Sequence, residues 1–161
     1  MPVDDERKSV TDTPVESGPA PVEGRDKVVE EAKVEIRSDL DIIVARQKGR
    51  ALAAALEFSP SELTLVATAI SELARNIVQY AKRGDILLRW IERGGLRGIM
   101  VRASDRGPGI EDIQRVLQGG YSTSRSLGLG LSGVRRLMDE FEIDSKVGWG
   151  TQVTVRKWVK R

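Results

Sequence analysis

Two glycine-bearing stretches hold the residue types best suited to bind a ligand. In the first, Asp105 is followed at once by Gly107, Pro108 and Gly109. Glycine permits positive φ and a close approach of a ligand to the backbone, while proline stiffens a turn. A carboxylate held there can accept a hydrogen bond from an exocyclic amine, such as the 6-amino group of adenine. An ordinary tight turn is the alternative interpretation.

The second stretch places Gly128 and Gly130 ahead of a predicted amphipathic helix over residues 129–141. Backbone N–H groups and the positive dipole end at a helix start favour phosphate. The spacing of residues 128–133 also matches the dinucleotide fingerprint G-x-G-x-x-G, but that fingerprint needs a buried strand before it, and residues 122–126 are polar. A base held at Asp105 and phosphates held at this helix predict a nucleotide pocket. The apolar positions that predict the helix are Leu131, Val134, Leu137, Met138 and Phe141.

An acid and an amide share one face of another predicted helix. Ser59, Pro60 and Glu62 supply a capping serine, a proline at the first helical position and a glutamate at the third. Glu72 and Asn76 lie further along this helix, four residues apart, so both can face a common ligand. A solvated helix face is the alternative interpretation of this pair.

The remaining periodicities predict the elements that position these residues. Residues 28–37 alternate as an edge strand, and a helix capped at Ser38 or Asp39 comes after them. Thr151 begins the last strand, where its hydroxyl could bond Asp105 or where it serves simply as a strand former. The other predicted elements are a hairpin of residues 85–93 and 99–103 around 94–98, a short helix at 111–118, and strands at 142–147 and 151–159 around 148–150.

Composition limits the classes of function. The 161 residues have a net charge of +2, but residues 1–26 hold seven acidic and three basic residues, so the rest of the chain is basic. A basic body suits phosphate and acidic partners, whereas an aromatic content of 4% and the lack of a dense Lys/Arg run argue against nucleic acid. Without cysteine or histidine, the chain can form no disulfide, Ser-His-Asp triad, phosphohistidine or His-ligated metal site.

The N-terminal segment differs in composition from the rest of the chain. Residues 1–27 are rich in Pro, Glu, Asp, Ser and Thr with few large apolar residues, which predicts a disordered acidic tail ahead of one domain at 28–161. The sequence has no long apolar run for a membrane span and no signal-peptide pattern, so we expect a cytoplasmic protein with no membrane partner.

Three motifs in order resemble the GHKL superfamily, whose members share the Bergerat ATP-binding fold. They are Glu72-x-x-x-Asn76, Asp105-x-Gly107-x-Gly109 and Gly128-x-Gly130, with Gly150-Thr151 after them. Within this superfamily, the sequence is most similar to anti-sigma-factor-type serine/threonine kinases, in particular the RsbT-type switch kinases of bacterial stressosomes. The segments that carry this similarity are residues 71–76, 105–109, 120–124 and 128–141. The resemblance covers about residues 30–160. It implies an α/β (α+β) two-layer sandwich with helices on one face of a mixed, mostly antiparallel sheet.

The resemblance also implies a role for each matching residue. Glu72 would be catalytic, accepting the proton of the attacking hydroxyl, and Asn76 would hold the Mg²⁺ that bridges the phosphates of ATP. Asp105, helped by Thr151, would hold adenine. Arg125 could approach a terminal phosphate, or be a surface arginine. The other implied cofactor-binding residues are Gly107 and Gly109 beside the base, Ser122, Thr123 and Ser124 in an ATP lid at 119–127 that includes Arg125, and Gly128, Leu129, Gly130 and Leu131 at the phosphates.

The implied function is phosphoryl transfer from ATP, with Mg²⁺, to serine or threonine of a STAS-domain scaffold or antagonist protein. Kinases of this type also bind and activate a downstream phosphatase or cyclase. The length leaves no room for a phosphoacceptor histidine domain or a transducer domain, so we expect a stand-alone kinase. The alternatives are a nucleotide-gated binding module or an anti-sigma factor without significant turnover. The sequence leaves the oligomeric state open.

Overall fold

Six strands form a single antiparallel sheet. The computed structural model describes residues 8–12, 25–118 and 130–160. The strand order is β1-β5-β6-β4-β3-β2, and each described pairing is antiparallel. The strands are β1 (Lys8–Asp12), β2 (Lys27–Ile36), β3 (Gly84–Arg93), β4 (Leu96–Asp105), β5 (Glu140–Lys146) and β6 (Gly150–Trp158).

Helices form the second layer. They are α1 (Asp39–Ala55), α2 (Pro60–Asn76), α3 (Ile113–Leu117) and α4 (Gly130–Leu137), and a π-helical turn, Ile77–Ala81, continues α2. The helix α2 contacts α1, α4 and β4, and its apolar face is buried with those of the sheet in one core. The predicted two-layer α/β fold is therefore confirmed. No helix among the described residues combines the length and the apolar content that a membrane span requires.

The start of α2 has the predicted capping signal. Ser59 is the N-cap, and its hydroxyl accepts a hydrogen bond from the backbone N–H of Glu62 at 3.2 Å. The Glu62 carboxylate in turn accepts from the backbone N–H of Ser59 at 3.2 Å. Both N–H groups are thereby satisfied before the first helical turn is complete. The capping box therefore defines the start of the helix that carries Glu72 and Asn76.

The hairpin that leads to Asp105 is tighter than predicted. Only Gly94 and Gly95, with φ of 53° and 83°, separate β3 from β4. Two successive residues with positive φ are typical of a two-residue turn whose twist matches the flanking strands. Because the turn is so short, β4 begins at Leu96 and pairs with β3 along its whole length.

The helix α4 ends earlier than the predicted residue 141. It stops at Leu137, whose carbonyl accepts a hydrogen bond from the buried Lys157 Nζ at 3.0 Å. The backbone N–H of Asp139 already donates to the Arg156 carbonyl of β6 at 2.9 Å. Phe141 then pairs with Val155 as a strand residue. The apolar spacing of the helix continued into β5 because Phe141 and Ile143 face the same core, so periodicity alone did not mark the boundary.

The N-terminal segment predicted to be disordered contributes a strand. Lys8–Asp12 pairs with the outer edge of β5, which offers unpaired backbone N–H and C=O groups to a β-branched segment. Asp26 is also folded, since it lies directly before β2 and bonds to two arginines. Residues 1–7 and 13–24 lie outside the described residues, so disorder there stays a prediction.

Asp26 joins two arginines on the face of the sheet opposite the helices. Its carboxylate accepts from Arg93 Nε at 2.6 Å and from Arg156 Nε at 2.8 Å. Arg93 also bonds to Glu140 and lies over the Trp158 ring, 4.7 Å from its centre, while Arg156 reaches Glu142. The side chain of Arg156 is only 3% exposed. The buried positive charge of Arg156 is therefore stabilised by these carboxylates rather than by water.

Removal of Asp26 tests whether this cluster stabilises the fold. Asp26→Ala leaves two guanidinium groups without their shared partner, so we expect the free energy of unfolding to fall by about 3 kcal/mol. Urea denaturation measured by tryptophan fluorescence gives the loss. The matched control is Glu35→Ala, which removes the exposed pair with Arg37 and should change stability by less than about 0.5 kcal/mol. Equal losses in the two variants would contradict a stabilising role for Asp26.

Candidate functional site

Asp105 ends β4 between two other strands, opposite Gly84 of β3 and Thr151 of β6. Its Oδ1 accepts a hydrogen bond from the backbone N–H of Gly107 at 2.9 Å. Burial raises the pKa of the carboxyl, and the backbone N–H groups of Gly107 and Thr151 partly oppose that rise. A half-buried carboxylate with incomplete solvation is a strong acceptor for a donor on a ligand.

Two glycines allow the segment after Asp105 to touch the β5–β6 hairpin. Gly109 has a φ of 78°, and a Cβ there would lie 2.1 Å from the Lys146 carbonyl oxygen. Gly150 has a φ of 131°, and a Cβ there would lie 2.1 Å from the Asp105 carbonyl oxygen. No larger residue fits either position without moving backbone. In the described structure these glycines thus permit backbone-to-backbone contact, whereas the predicted approach of Gly109 to a nucleotide stays a prediction.

Gly107 brings the Asp105 segment against the end of α2. A Cβ on Gly107 would lie 2.7 Å from the Cβ of Ala81, the last residue of the π-helical turn that comes after Asn76. Single π-helical turns often occur at functional sites because they change the direction of a helix locally. The segments that carry Asp105 and Asn76 are therefore packed together, as a ligand that spans both would require.

Glu72 is buried rather than exposed on the helix surface. Its side chain is 1% exposed, and Oε1 accepts a hydrogen bond from Arg75 Nη1 at 2.9 Å. Oε2 is also buried and has no hydrogen-bond partner among the described residues. A buried carboxylate with one free oxygen is unusual, because each unmet hydrogen bond costs free energy. The alternative of a solvated helix face is excluded for Glu72.

Asn76 is the last residue of α2 and is half-buried. Its amide oxygen is of the type that coordinates Mg²⁺, which usually takes one or two protein ligands together with phosphates and water. Among residues 8–12, 25–118 and 130–160, no three His, Cys, Asp or Glu side chains form a metal cluster. An amide oxygen is compatible with a magnesium ion that arrives with a nucleotide, and the role of Asn76 as its protein ligand stays a prediction.

The hydroxyl of Thr151 bonds to Ser145 of β5, and the backbone N–H of Thr151 supports Asp105. Thr151 Oγ1 lies 2.8 Å from Ser145 Oγ. Ser145 was not among the predicted site residues. A signal existed, however, because Ser145 continues the alternation of Phe141 and Ile143 along β5 and so places a polar side chain on the core-facing side.

The proposed phosphate-binding region is described only in part. Gly130 is the first residue of α4, with a φ of 53° and open space where a Cβ would lie, and Leu131 behind it is buried in the core. Among the described residues, nothing lies within 4 Å of that Cβ position, and the binding of a phosphate at this helix start stays a prediction. The predicted residues Ser122, Thr123, Ser124, Arg125, Gly128 and Leu129 lie outside the described residues.

Comparison with known proteins identifies similar chains over most of the length. Residues 37–157 match the family described as Histidine kinase-like ATPase domain. Serine/threonine-protein kinase RsbT of Bacillus subtilis (strain 168) is 46% identical over 127 residues, which cover 79% of this chain and 96% of that protein. Anti-sigma F factor of Caldanaerobacter subterraneus subsp. tengcongensis is 31% identical over 121 residues, or 73% and 85% of the two chains. The Geobacillus kaustophilus anti-sigma F factor is 30% identical over 124 residues, or 73% and 84%. The resemblance predicted from the motifs is confirmed.

The substitution Asp105→Asn separates ligand binding from stability. The amide keeps an oxygen for the Gly107 N–H but loses the charge, so we expect ATP affinity to fall about 10- to 100-fold. The melting temperature of the ligand-free protein at pH 7 should stay equal or rise, because a half-buried charge is removed. Calorimetric titration and thermal melting measure the two effects. A large drop in melting temperature would show that Asp105 is structural.

The protonation of Asp105 should make both the free energy of unfolding and the ATP affinity depend on pH. Because the pKa of Asp105 is higher in the folded than in the unfolded chain, its contribution to the free energy of unfolding falls as pH rises between the two values. ATP affinity should move the other way and decline on acidification, starting above the usual aspartate pKa of about 3.9. Calorimetric titrations of wild type and Asp105→Asn with ATP over a pH series measure this decline. The part of the decline that is due to Asp105 should be absent in the variant.

Proposed function

Since the chain belongs to the histidine kinase-like ATPase domain family, we propose that it is an ATP- and Mg²⁺-dependent serine/threonine protein kinase. The observation that carries the proposal is the buried Glu72, which lies one helical turn before Asn76 and whose Oε2 has no hydrogen-bond partner in the described part of the chain. An acid at this position can accept a proton next to bound phosphates. The relative named serine/threonine-protein kinase RsbT, of which this chain covers 96%, supports the enzyme class.

In the proposed reaction, the substrate hydroxyl attacks the terminal phosphorus of ATP. The new bond joins the serine or threonine oxygen to phosphorus, the bond to the bridging oxygen breaks, and ADP leaves with that electron pair. The hydroxyl proton passes to Glu72, which Arg75 holds by its other oxygen. Magnesium supplies charge neutralisation on the phosphates when it is bound. Asn76 orients the phosphates, and Asp105 fixes the base at the other end.

The protein substrate is proposed to be a STAS-domain scaffold or antagonist in a partner-switching pathway of the stressosome type. The support is the RsbT relative together with the motifs shared with RsbT-type kinases. After transfer, the kinase would bind and activate a downstream phosphatase or cyclase. The basic character of residues 27–161 suits acidic partner surfaces. The cytoplasmic location of the protein stays a prediction.

A second candidate function is a nucleotide-gated binding module or anti-sigma factor. The relatives named Anti-sigma F factor, which are 31% and 30% identical to this chain over the aligned residues, favour it. Both functions use the same nucleotide pocket. The two functions differ in whether phosphate is transferred. Phosphate transfer by wild type, and its loss on substitution of Glu72, therefore distinguishes them.

Radiolabel transfer from ATP and Mg²⁺ to a STAS-domain protein tests the proposal. We expect wild type to label the protein, and Glu72→Gln to lower the rate at least about 100-fold because the proton acceptor is lost. ATP affinity of Glu72→Gln should stay within about threefold of wild type, because Glu72 would act on the substrate hydroxyl rather than bind the nucleotide. Asn76→Ala should weaken binding of ATP in the presence of Mg²⁺.

The matched control is Glu57→Gln, which changes an exposed glutamate paired with Arg97 and should leave transfer unaltered. Circular dichroism establishes that each variant is folded. Labelling by Glu72→Gln at the wild-type rate would contradict the role of Glu72. If wild type binds ATP and the STAS-domain protein without labelling it, the binding-module function replaces the kinase.

A further inference from the structure

Ser145 lies at the centre of a hydrogen-bond network beside the base-binding carboxylate. Its side chain is fully buried, at 0% exposure. Its Oγ lies 2.8 Å from the backbone nitrogen of Ile110, 3.0 Å from the Gly150 carbonyl oxygen and 2.8 Å from Thr151 Oγ1. Ile110 lies in the segment after β4, Gly150 and Thr151 are the first two residues of β6, and Ser145 itself lies on β5. One hydroxyl thus joins three segments that surround Asp105.

The chemistry of the three partners determines where each hydrogen points. A serine hydroxyl has one hydrogen to donate and two lone pairs to accept with. The Gly150 carbonyl can only accept, so Ser145 donates its hydrogen there. The Ile110 N–H can only donate, so it takes one lone pair of Ser145. The second lone pair remains for Thr151, and Thr151 must therefore be the donor in the pair of hydroxyls.

The hydroxyl of Thr151 consequently has no hydrogen left for a ligand. It donates its only hydrogen to Ser145 and presents lone pairs elsewhere. Thr151 lies directly opposite Asp105 in the β4–β6 register, and Asp105 in its ionised form also only accepts. Two acceptors therefore stand side by side where the base is proposed to bind. Two acceptors can accept hydrogen bonds from an amino group, whereas a carbonyl oxygen has no hydrogen to donate to them.

We propose that Ser145 is a positioning residue for nucleotide selectivity, which fixes the Thr151 hydroxyl as an acceptor and so favours a 6-amino over a 6-oxo purine. The inference rests on the proposed function only in taking Asp105 and Thr151 as the base-binding residues. Ser145 itself contacts no ligand. It acts through Thr151, because it takes up the one hydrogen that Thr151 could otherwise turn towards a carbonyl oxygen.

The test compares ATP with inosine triphosphate, which carries an oxo group in place of the 6-amino group. Calorimetric titration gives the ratio of the two dissociation constants for the full chain. Ser145→Ala frees the Thr151 hydrogen, which can then donate to the 6-oxo group, so we expect the preference for ATP to drop about 3- to 10-fold, the range for one hydrogen bond. Ser145→Thr keeps a hydroxyl and should retain the wild-type preference. If Ser145→Ala weakens both nucleotides equally, the role of Ser145 is structural and the inference is overturned.

Thr151→Val keeps the test decisive if Ser145→Ala does not fold. Valine removes an acceptor but no available donor, so ATP should lose affinity, inosine triphosphate should not, and the preference for ATP should fall. If Thr151 instead donates to the ligand, inosine triphosphate would lose more affinity and the preference for ATP would rise, which overturns the inference. Binding of neither nucleotide by wild type would overturn the proposed function and this inference with it.

Discussion

The proposed base-binding site depends on direct backbone contact between the segment after β4 and the β5–β6 hairpin. Gly109 and Gly150 permit this contact at distances that leave no room for a Cβ, and the N–H of Gly148 donates to the Pro108 carbonyl at 2.8 Å. The contact holds the Asp105 carboxylate half-buried, with its backbone donors already in place. A carboxylate kept in this state before a ligand arrives needs little reorganisation to accept a hydrogen bond.

One rigid helix connects that site to the residues proposed for catalysis. Glu72 and Asn76 both lie on α2, whose start is capped at Ser59 and whose apolar face is buried. The π-helical turn after Asn76 touches Gly107, so the end of α2 is packed against the segment that carries Asp105. Arg75 balances the charge of the buried Glu72 by an ion pair within the same helix. A nucleotide held at Asp105 would therefore have its phosphates located by the same packing that stabilises the fold.

The sequence predicted those features that depend on local chemistry. The cap of α2, the edge position of β2 and the family could be inferred from short motifs whose residues act on their neighbours. Features that depend on distant partners were not predicted. The end of α4 depends on pairing with β6, the strand Lys8–Asp12 on a free edge of β5, and the Asp26 cluster on arginines far along the chain. The burial of Glu72 and the hydrogen-bond direction at Thr151 likewise required coordinates, because neither is encoded in spacing.

We propose that one pocket holds the base at Asp105 and the phosphates near Asn76 and α4. A crystal structure with Mg²⁺ and a non-hydrolysable ATP analogue would test this arrangement. We expect the 6-amino group within hydrogen-bond distance of the Asp105 carboxylate, with Asn76 among the ligands of the metal and Glu72 near the terminal phosphate. An analogue bound elsewhere, or one whose base does not contact Asp105, would contradict it.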